Sequence, residues 1–363
     1  MSDTVEKLIM KKAALKEIPI KGSLELTPLC NMNCKMCYIK HTPEEVKKSG
    51  GIKPVEFWTD MIPEMKEAGV LFLGLIGGEP LVYPDFPNLY NTFYKNGFYL
   101  NITTNGTLLA NGIPEWMKKS PPRYVTVSLY GASNETYENV TGKKDVFYLV
   151  KKAIYNLLQE GIPTKLNYCV VPENKEDLEC IYEMSREWNI PIMVTPYSFP
   201  AIRRELVEQY KRCSPEEVAS VYHQIKKREL GENYEAWCYY LSQKKYNQKT
   251  DRHTDKMYCT AGINNFWINW KGVMTSCGML ETPKINLTKH SFKEAWMQIN
   301  QKTKNLITSS KCACCQYREI CLVCPAMMKA ETGEFQGTSE YHCKMTHSII
   351  KQAIQIASGN TLV

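Results

Sequence analysis

No apolar run in the chain is long enough to cross a bilayer. The longest, residues 69–78, falls far short of the roughly 20 residues that a membrane-spanning helix needs. Residues 1–17 lack the apolar core of a signal peptide, so a cytoplasmic address with no membrane partner is expected. There is no internal repeat and no low-complexity segment. A formal charge of +7 raises nucleic acid as a partner, but lysines and acidic residues alternate along most helical stretches. With no basic stripe interleaved with aromatics, nucleic acid is set aside. Hydrophobic residues at 44% and charged residues at 23% exclude a disordered chain and permit a large core.

Cysteine, by contrast, is abundant. In a reducing compartment, fifteen cysteines read as metal ligands or reactive thiols rather than as disulfides. Eleven of them fall in two groups, at residues 30–37 and 259–343.

From residue 23 to 199, short β-rich runs alternate with amphipathic helical stretches, the pattern of parallel βαβ units. Six strands are expected at 23–26, 71–76, 99–103, 124–129, 164–170 and 192–197, with helices at 54–68, 146–160 and 178–188 covering their outer face. The fold class that follows is α/β, a partial (β/α)6 parallel-strand barrel with a C-terminal cysteine-rich iron-sulfur domain. Its expected divisions are an extension over 1–22, the barrel over 23–230, a linker over 231–258 with a polar stretch at 243–256, the cysteine-rich unit over 259–347, and a terminal helix or tail over 348–363. Little hydrophobic periodicity marks 259–347, as where metal rather than a core holds the fold.

Cys30, Cys34 and Cys37 stand in LTPLCNMNCKMCY, directly after the first expected strand. That is the carboxyl end, where βα barrels place active sites. Three thiolates can hold three irons of a 4Fe-4S cube and leave the fourth open to a ligand. A zinc knuckle with a distant fourth ligand is the alternative, although its cysteines usually come as two CxxC pairs.

The spacing CxxxCxxC resembles the motif of the radical S-adenosylmethionine (SAM) superfamily. That resemblance implies a cluster whose open iron chelates SAM and whose electron cleaves it to a 5'-deoxyadenosyl radical. Met36 takes a position that is commonly aromatic in the family and lies near adenine; it and Tyr38 are counted as cofactor-binding. Gly77, Gly78, Glu79 and Pro80 form the family's GGEP motif, which contacts the methionyl amine. Thr103, Thr104, Asn105 and Gly106 end the third strand and Ser128, Tyr130 and Gly131 the fourth, where the family places polar contacts to ribose. Arg203 or Arg204 is the candidate partner of the SAM carboxylate.

The later cysteines are Cys259, Cys277, Cys312, Cys315, Cys321, Cys324 and Cys343, with Cys314 beside them. Their order resembles the SPASM domain of peptide-modifying radical SAM enzymes; a pair of structural zincs is the alternative. The resemblance implies one auxiliary cluster on Cys312, Cys315, Cys321 and Cys343 and another on Cys259, Cys277 and Cys324, for three 4Fe-4S clusters in all. The last spacing is x2 where the family usually has x3. No fourth cysteine follows Cys259 at the family's place, so the second site is either open or closed by Cys314. Cys169, Cys180, Cys213 and Cys238 read as small buried hydrophobes. Cys169 has a second reading, as a thiol inside the barrel that returns a hydrogen atom, and Tyr168 or Tyr197 share that interior with core packing as their other role.

The resemblance implies a maturase of ribosomally made peptides that forms a thioether or carbon-carbon crosslink. Anaerobic sulfatase-maturing enzymes carry an aspartate where this chain has Gly278. A peptide epimerase and a tetrapyrrole-modifying enzyme are the alternatives within the class, and a non-catalytic iron-sulfur electron carrier is the alternative outside it. Expected partners are a peptide, a separate leader-binding protein, and a reductant such as flavodoxin or ferredoxin.

Overall fold

The computed structural model describes residues 3–200, 212–244, 259–321 and 323–359. Six parallel strands, β1 (Lys21–Glu25), β2 (Phe72–Ile76), β3 (Tyr99–Thr104), β4 (Tyr124–Ser128), β5 (Thr164–Cys169) and β6 (Ile192–Thr195), pair in sequential order. Each expected strand is present, within two residues at each end.

The period-2 alternation of these strands separates two chemistries. Leu24, Leu73, Leu75, Leu100, Ile102, Val125, Val127 and Leu166 are fully buried. They pack in one core with Trp58, Met65, Phe93, Ile154 and Leu157 from the covering helices. The intervening positions, Ser23, Thr103, Ser128 and Asn167, line a cavity on the other face. The sheet therefore carries an apolar outer face and a small, polar inner one, so the partial barrel has a site rather than a second core on its inner side.

The structure departs from the sequence reading in four places. The expected helix at 54–68 is two helices, Val55–Thr59 and Ile62–Glu67, because Pro63 has no N–H to continue the first and is well placed in the first turn of the second. Residues 3–16 form a helix whose Ala13, with Ile9 and Met10, packs on Ile20 and Phe72.

Among the described residues the sheet also has nine strands, not six. β7 (Asn265–Ile268) lies parallel to β1, with Ser23 opposite Trp267, and β8 (Val273–Thr275) and β9 (Lys284–Asn286) follow antiparallel. The start of the cysteine-rich tract thus covers an edge of β1 that would otherwise be open. Strands of three or four residues are too short for periodicity to reveal.

Finally, the expected linker contains the helix Tyr234–Gln243. Its Tyr234, Cys238 and Leu241, spaced by four and three, pack with Ala353 of the C-terminal helix Glu340–Ala357.

His223 joins these helices. Its Nε2–H donates to the carbonyl of Ile349 at 2.8 Å, which leaves Nδ1 to accept from the Tyr234 hydroxyl, also at 2.8 Å. Burial lowers its pKa, against the pull of the Ile349 carbonyl. A histidine held neutral in the fold contributes stability that is complete above its unfolded pKa of about 6.5 and is lost as pH falls through the lower folded value. His223→Phe should cost about 1–2 kcal/mol at pH 8. It should also flatten the loss of stability between pH 7 and 5, read from urea midpoints; equal pH slopes in the two proteins would contradict this placement.

Candidate active site

The backbone ladder between β1 and β2 runs on past both strands. Leu26 N–H donates to the Ile76 carbonyl at 2.9 Å, Gly78 N–H to Thr27 at 2.7 Å, and Glu79 N–H to Leu29 at 2.9 Å. A Cβ on Gly77 would lie 2.5 Å from the Thr27 oxygen, and one on Gly78 would lie 2.4 Å from the Leu29 oxygen. Both glycines are therefore required by close backbone approach, and this approach fixes the stem of the loop that carries Cys30.

One cavity of about 390 Å³ opens at the carboxyl ends of the strands. It gathers Cys30, Cys34 and Cys37 with Met36, Tyr38, Gly77, Gly78, Thr104, Asn105, Ser128 and Cys169. The three thiols lie within electrostatic reach of one another: burial pushes Cys30 up to about 11 and Cys34 well above the usual thiol range, with Cys37 adding to the rise at Cys30 and both Cys37 and Cys30 adding to it at Cys34. Buried thiols ionise readily only when a cation takes the charge, as metal ligation does. The Met32 N–H donates to the Cys30 sulfur at 3.4 Å. Soft sulfur donors on one loop, with an N–H aimed at a sulfur, fit an iron-sulfur group.

Glu79 is fully buried beneath the cavity. It accepts from the Leu81 N–H at 3.1 Å, the Thr104 hydroxyl at 2.8 Å and the Asn105 N–H at 2.7 Å. Burial pushes its carboxyl up to about 7 against the pull of these donors. Pro80 opens the short turn Pro80–Val82. Thr104 and Asn105 thus sit at the cavity with polar groups already engaged by the protein, while Ser128 lines the wall beside Tyr130.

Cys169 lines the cavity from β5, and the Asn167 amide lies 3.7 Å from its sulfur. Tyr168 faces the opposite side and donates to the Asn174 carbonyl. Tyr197 donates to Glu331 at 2.6 Å, away from the cavity. Cys213 and Cys238 are buried, but Cys180 is exposed, a correction to its reading as a small core residue. Arg203 and Arg204 lie outside the described residues.

Several wall residues escaped the sequence reading. Lys40 is the one ionic side chain that lines the cavity among the described residues; its ammonium bonds the Met32 carbonyl, and Asn33 Oδ1 at 3.2 Å. Its place three residues after Cys37 was the available signal. Asn167 shares the inner face of β5 with Cys169, two residues away. Trp267 comes from β7, which was not foreseen, and donates its indole N–H to the buried Glu25 at 3.0 Å. A Cβ on Gly278 would lie 2.8 Å from that indole, so the residue after Cys277 has no room for a side chain while Trp267 stays in place.

The later cysteines form two electrostatic neighbourhoods. Burial raises the pKa of Cys321 and of Cys343, and Cys312 adds to the rise at both, with Cys315 adding to it at Cys343. Burial raises the pKa of Cys324, which precedes the helix Pro325–Thr332, and Cys259 adds to the rise. Cys314 is exposed. Cys277 follows β8 and accepts from the Met279 N–H at 3.3 Å. Among the described residues, no three His, Cys, Asp or Glu side chains converge as for a single metal ion, and no helix is long and apolar enough to cross a membrane.

Residues 24–184 match the radical SAM superfamily. Over 347 residues the chain is 24% identical to the AdoMet-dependent heme synthase of Methanosarcina barkeri, covering 90% of this chain and 97% of that protein. Over 170 residues it is 29% identical to the PqqA peptide cyclase of Granulibacter bethesdensis, covering 47% of this chain and 45% of that one. A solved structure of anSMEcpe with bound AdoMet and the Kp18Cys peptide superposes with a TM-score of 0.67 at 17% identity, covering 93% of this chain and 99% of that one.

The glycine contacts give a direct test. Gly78→Ala should destabilise the chain by about 1–3 kcal/mol and displace the Cys30 loop, lowering the iron retained by the loop cysteines after anaerobic reconstitution. Wild-type iron content and wild-type thermal midpoint together would contradict the close approach.

Proposed function

We propose, from the match of residues 24–184 to the radical SAM superfamily, that the chain is a radical SAM enzyme that oxidatively crosslinks a ribosomally made peptide through a thioether or carbon-carbon bond. In this reading Cys30, Cys34 and Cys37 hold a 4Fe-4S cluster with an open iron. Cys312, Cys315, Cys321 and Cys343 hold a second cluster, and Cys259, Cys277 and Cys324 a third. When bound, the first cluster and SAM supply a 5'-deoxyadenosyl radical that removes hydrogen from an unactivated carbon.

The protein's own contribution is positional. Gly77 and Gly78 let the SAM site form against the cluster loop, Met36 and Tyr38 flank it, and Ser128 offers a hydroxyl at the wall. The cavity at the carboxyl ends of the strands would hold the cluster and SAM and admit a single side chain at its opening, with the rest of the peptide running outside. The observation that carries the peptide reading is the pair of cysteine neighbourhoods in the C-terminal tract, which gives the surplus electron a place to go. The likeness to a PqqA peptide cyclase and the fold shared with a peptide-bound structure support it. A leader-binding protein and a flavodoxin or ferredoxin reductant complete the scheme.

Two observations favour other outcomes. Cys169 at the cavity wall is placed to return a hydrogen atom, as in an epimerase. The nearly full-length likeness to an AdoMet-dependent heme synthase favours a tetrapyrrole substrate.

Co-expression with a short peptide encoded beside this reading frame, followed by mass spectrometry, separates these outcomes. Crosslinking predicts the loss of two hydrogens, and Cys30→Ala should abolish it. Unchanged mass with deuterium taken up from solvent, lost in Cys169→Ala, would replace crosslinking with epimerisation. An unaltered peptide together with turnover of an iron porphyrin would overturn the peptide reading.

A further inference from the structure

Asn105 has its amide orientation fixed by its neighbours. The Thr107 N–H can only donate, and it meets Asn105 Oδ1 at 3.0 Å, with the Thr107 hydroxyl donating to the same oxygen at 2.7 Å. Nδ2 must therefore face the other way, where it reaches Asn31 Oδ1 at 2.8 Å and the Cys30 sulfur at 3.8 Å. Asn31 closes the ring by donating to the Thr107 hydroxyl at 2.8 Å. Below, Glu79 grips the Asn105 backbone N–H and the Thr104 hydroxyl. Asn105 is 7% exposed, Thr104 2% and Glu79 0%, so the arrangement is held by burial as well as by direction.

We propose that Asn105, anchored by Glu79, is a positioning residue that delivers an N–H to the Cys30 sulfur and thereby sets the direction of that ligand and the reduction potential of the cluster it helps to hold. The inference rests on the reading of Cys30, Cys34 and Cys37 as cluster ligands. It assigns Asn105 to the sulfur rather than to the ribose of SAM: both amide hydrogens and the amide oxygen already have partners within the protein. It also gives Glu79 a second duty, since the same carboxylate ties the end of β2, beside the Cys30 loop, to the end of β3, which bears Asn105. A donor on a thiolate withdraws negative charge from the cluster, favours its reduced state and so raises its potential. Removing that donor should make the cluster harder to reduce.

The test uses the full chain reconstituted anaerobically with iron and sulfide, with potentials followed by electron paramagnetic resonance. The signal to follow is the one absent from a variant in which Cys30, Cys34 and Cys37 are all alanine. Asn105→Leu preserves bulk but removes the amide; it should retain this signal with a midpoint more negative than wild type. Thr107→Val removes only the hydroxyl that holds the amide in register, and should shift the midpoint the same way by a smaller amount. A retained signal with an unchanged midpoint in Asn105→Leu would overturn the proposal. If Asn105→Leu assembles no cluster, Thr107→Val decides, by the same criterion. A wild-type protein with no signal that depends on the three cysteines would instead overturn the ligand reading, and the relay with it.

Discussion

The candidate site depends on one close approach, that of the backbone at Gly77 and Gly78 to the backbone of Thr27 to Leu29. Two hydrogen bonds of 2.7 and 2.9 Å extend the β1–β2 ladder beyond the sheet, and the missing side chains let the carbonyls of Thr27 and Leu29 come as near as they do. A loop that would otherwise be free is thereby joined to the rigid part of the fold. Cys30 is the next residue, so its direction is inherited from the sheet. A metal site formed by one loop needs such external support, because its ligands are close in sequence and cannot brace one another.

The same economy runs through the barrel. Outward positions of the strands are apolar and carry the packing; inward positions are small or polar and leave room. β7 completes the arrangement by adding Trp267 to the wall and closing one edge of β1. The glycine at 278 then becomes intelligible as packing against that indole. The helices Pro215–Leu230, Tyr234–Gln243 and Glu340–Ala357 meet around His223 and carry Cys343 in their shared framework. One of the two cysteine neighbourhoods is thus tied to a conventional apolar core.

Much of this was legible in the sequence because it repeats or is locally strong. Six strands alternate with amphipathic helices, and their signals agree at every level. The cysteine spacing and the two glycines are chemical signals that survive without any knowledge of the fold. What escaped was short or conditional. β7 to β9 are three or four residues each, and only their partners make them strands. The helix Tyr234–Gln243 has a narrow apolar stripe that becomes meaningful once the C-terminal helix lies against it. The role of Asn105 was hidden because a polar residue after a strand is ambiguous until its hydrogen bonds are seen. Trp267 belongs to the cavity through tertiary placement that no spacing encodes, Lys40 was marked only by its nearness to Cys37, and Cys180 was misread because its helix turns that position to solvent.

In the proposed function, Cys30, Cys34 and Cys37 hold a cluster that keeps one iron for SAM. The most direct measurement is electron-nuclear double resonance on the reduced, reconstituted full chain with SAM labelled in its amino nitrogen and carboxylate oxygen. The account predicts hyperfine coupling from both labels to the cluster, lost in Cys34→Ala. An assembled cluster on Cys30, Cys34 and Cys37 that shows no coupling to either label would contradict it.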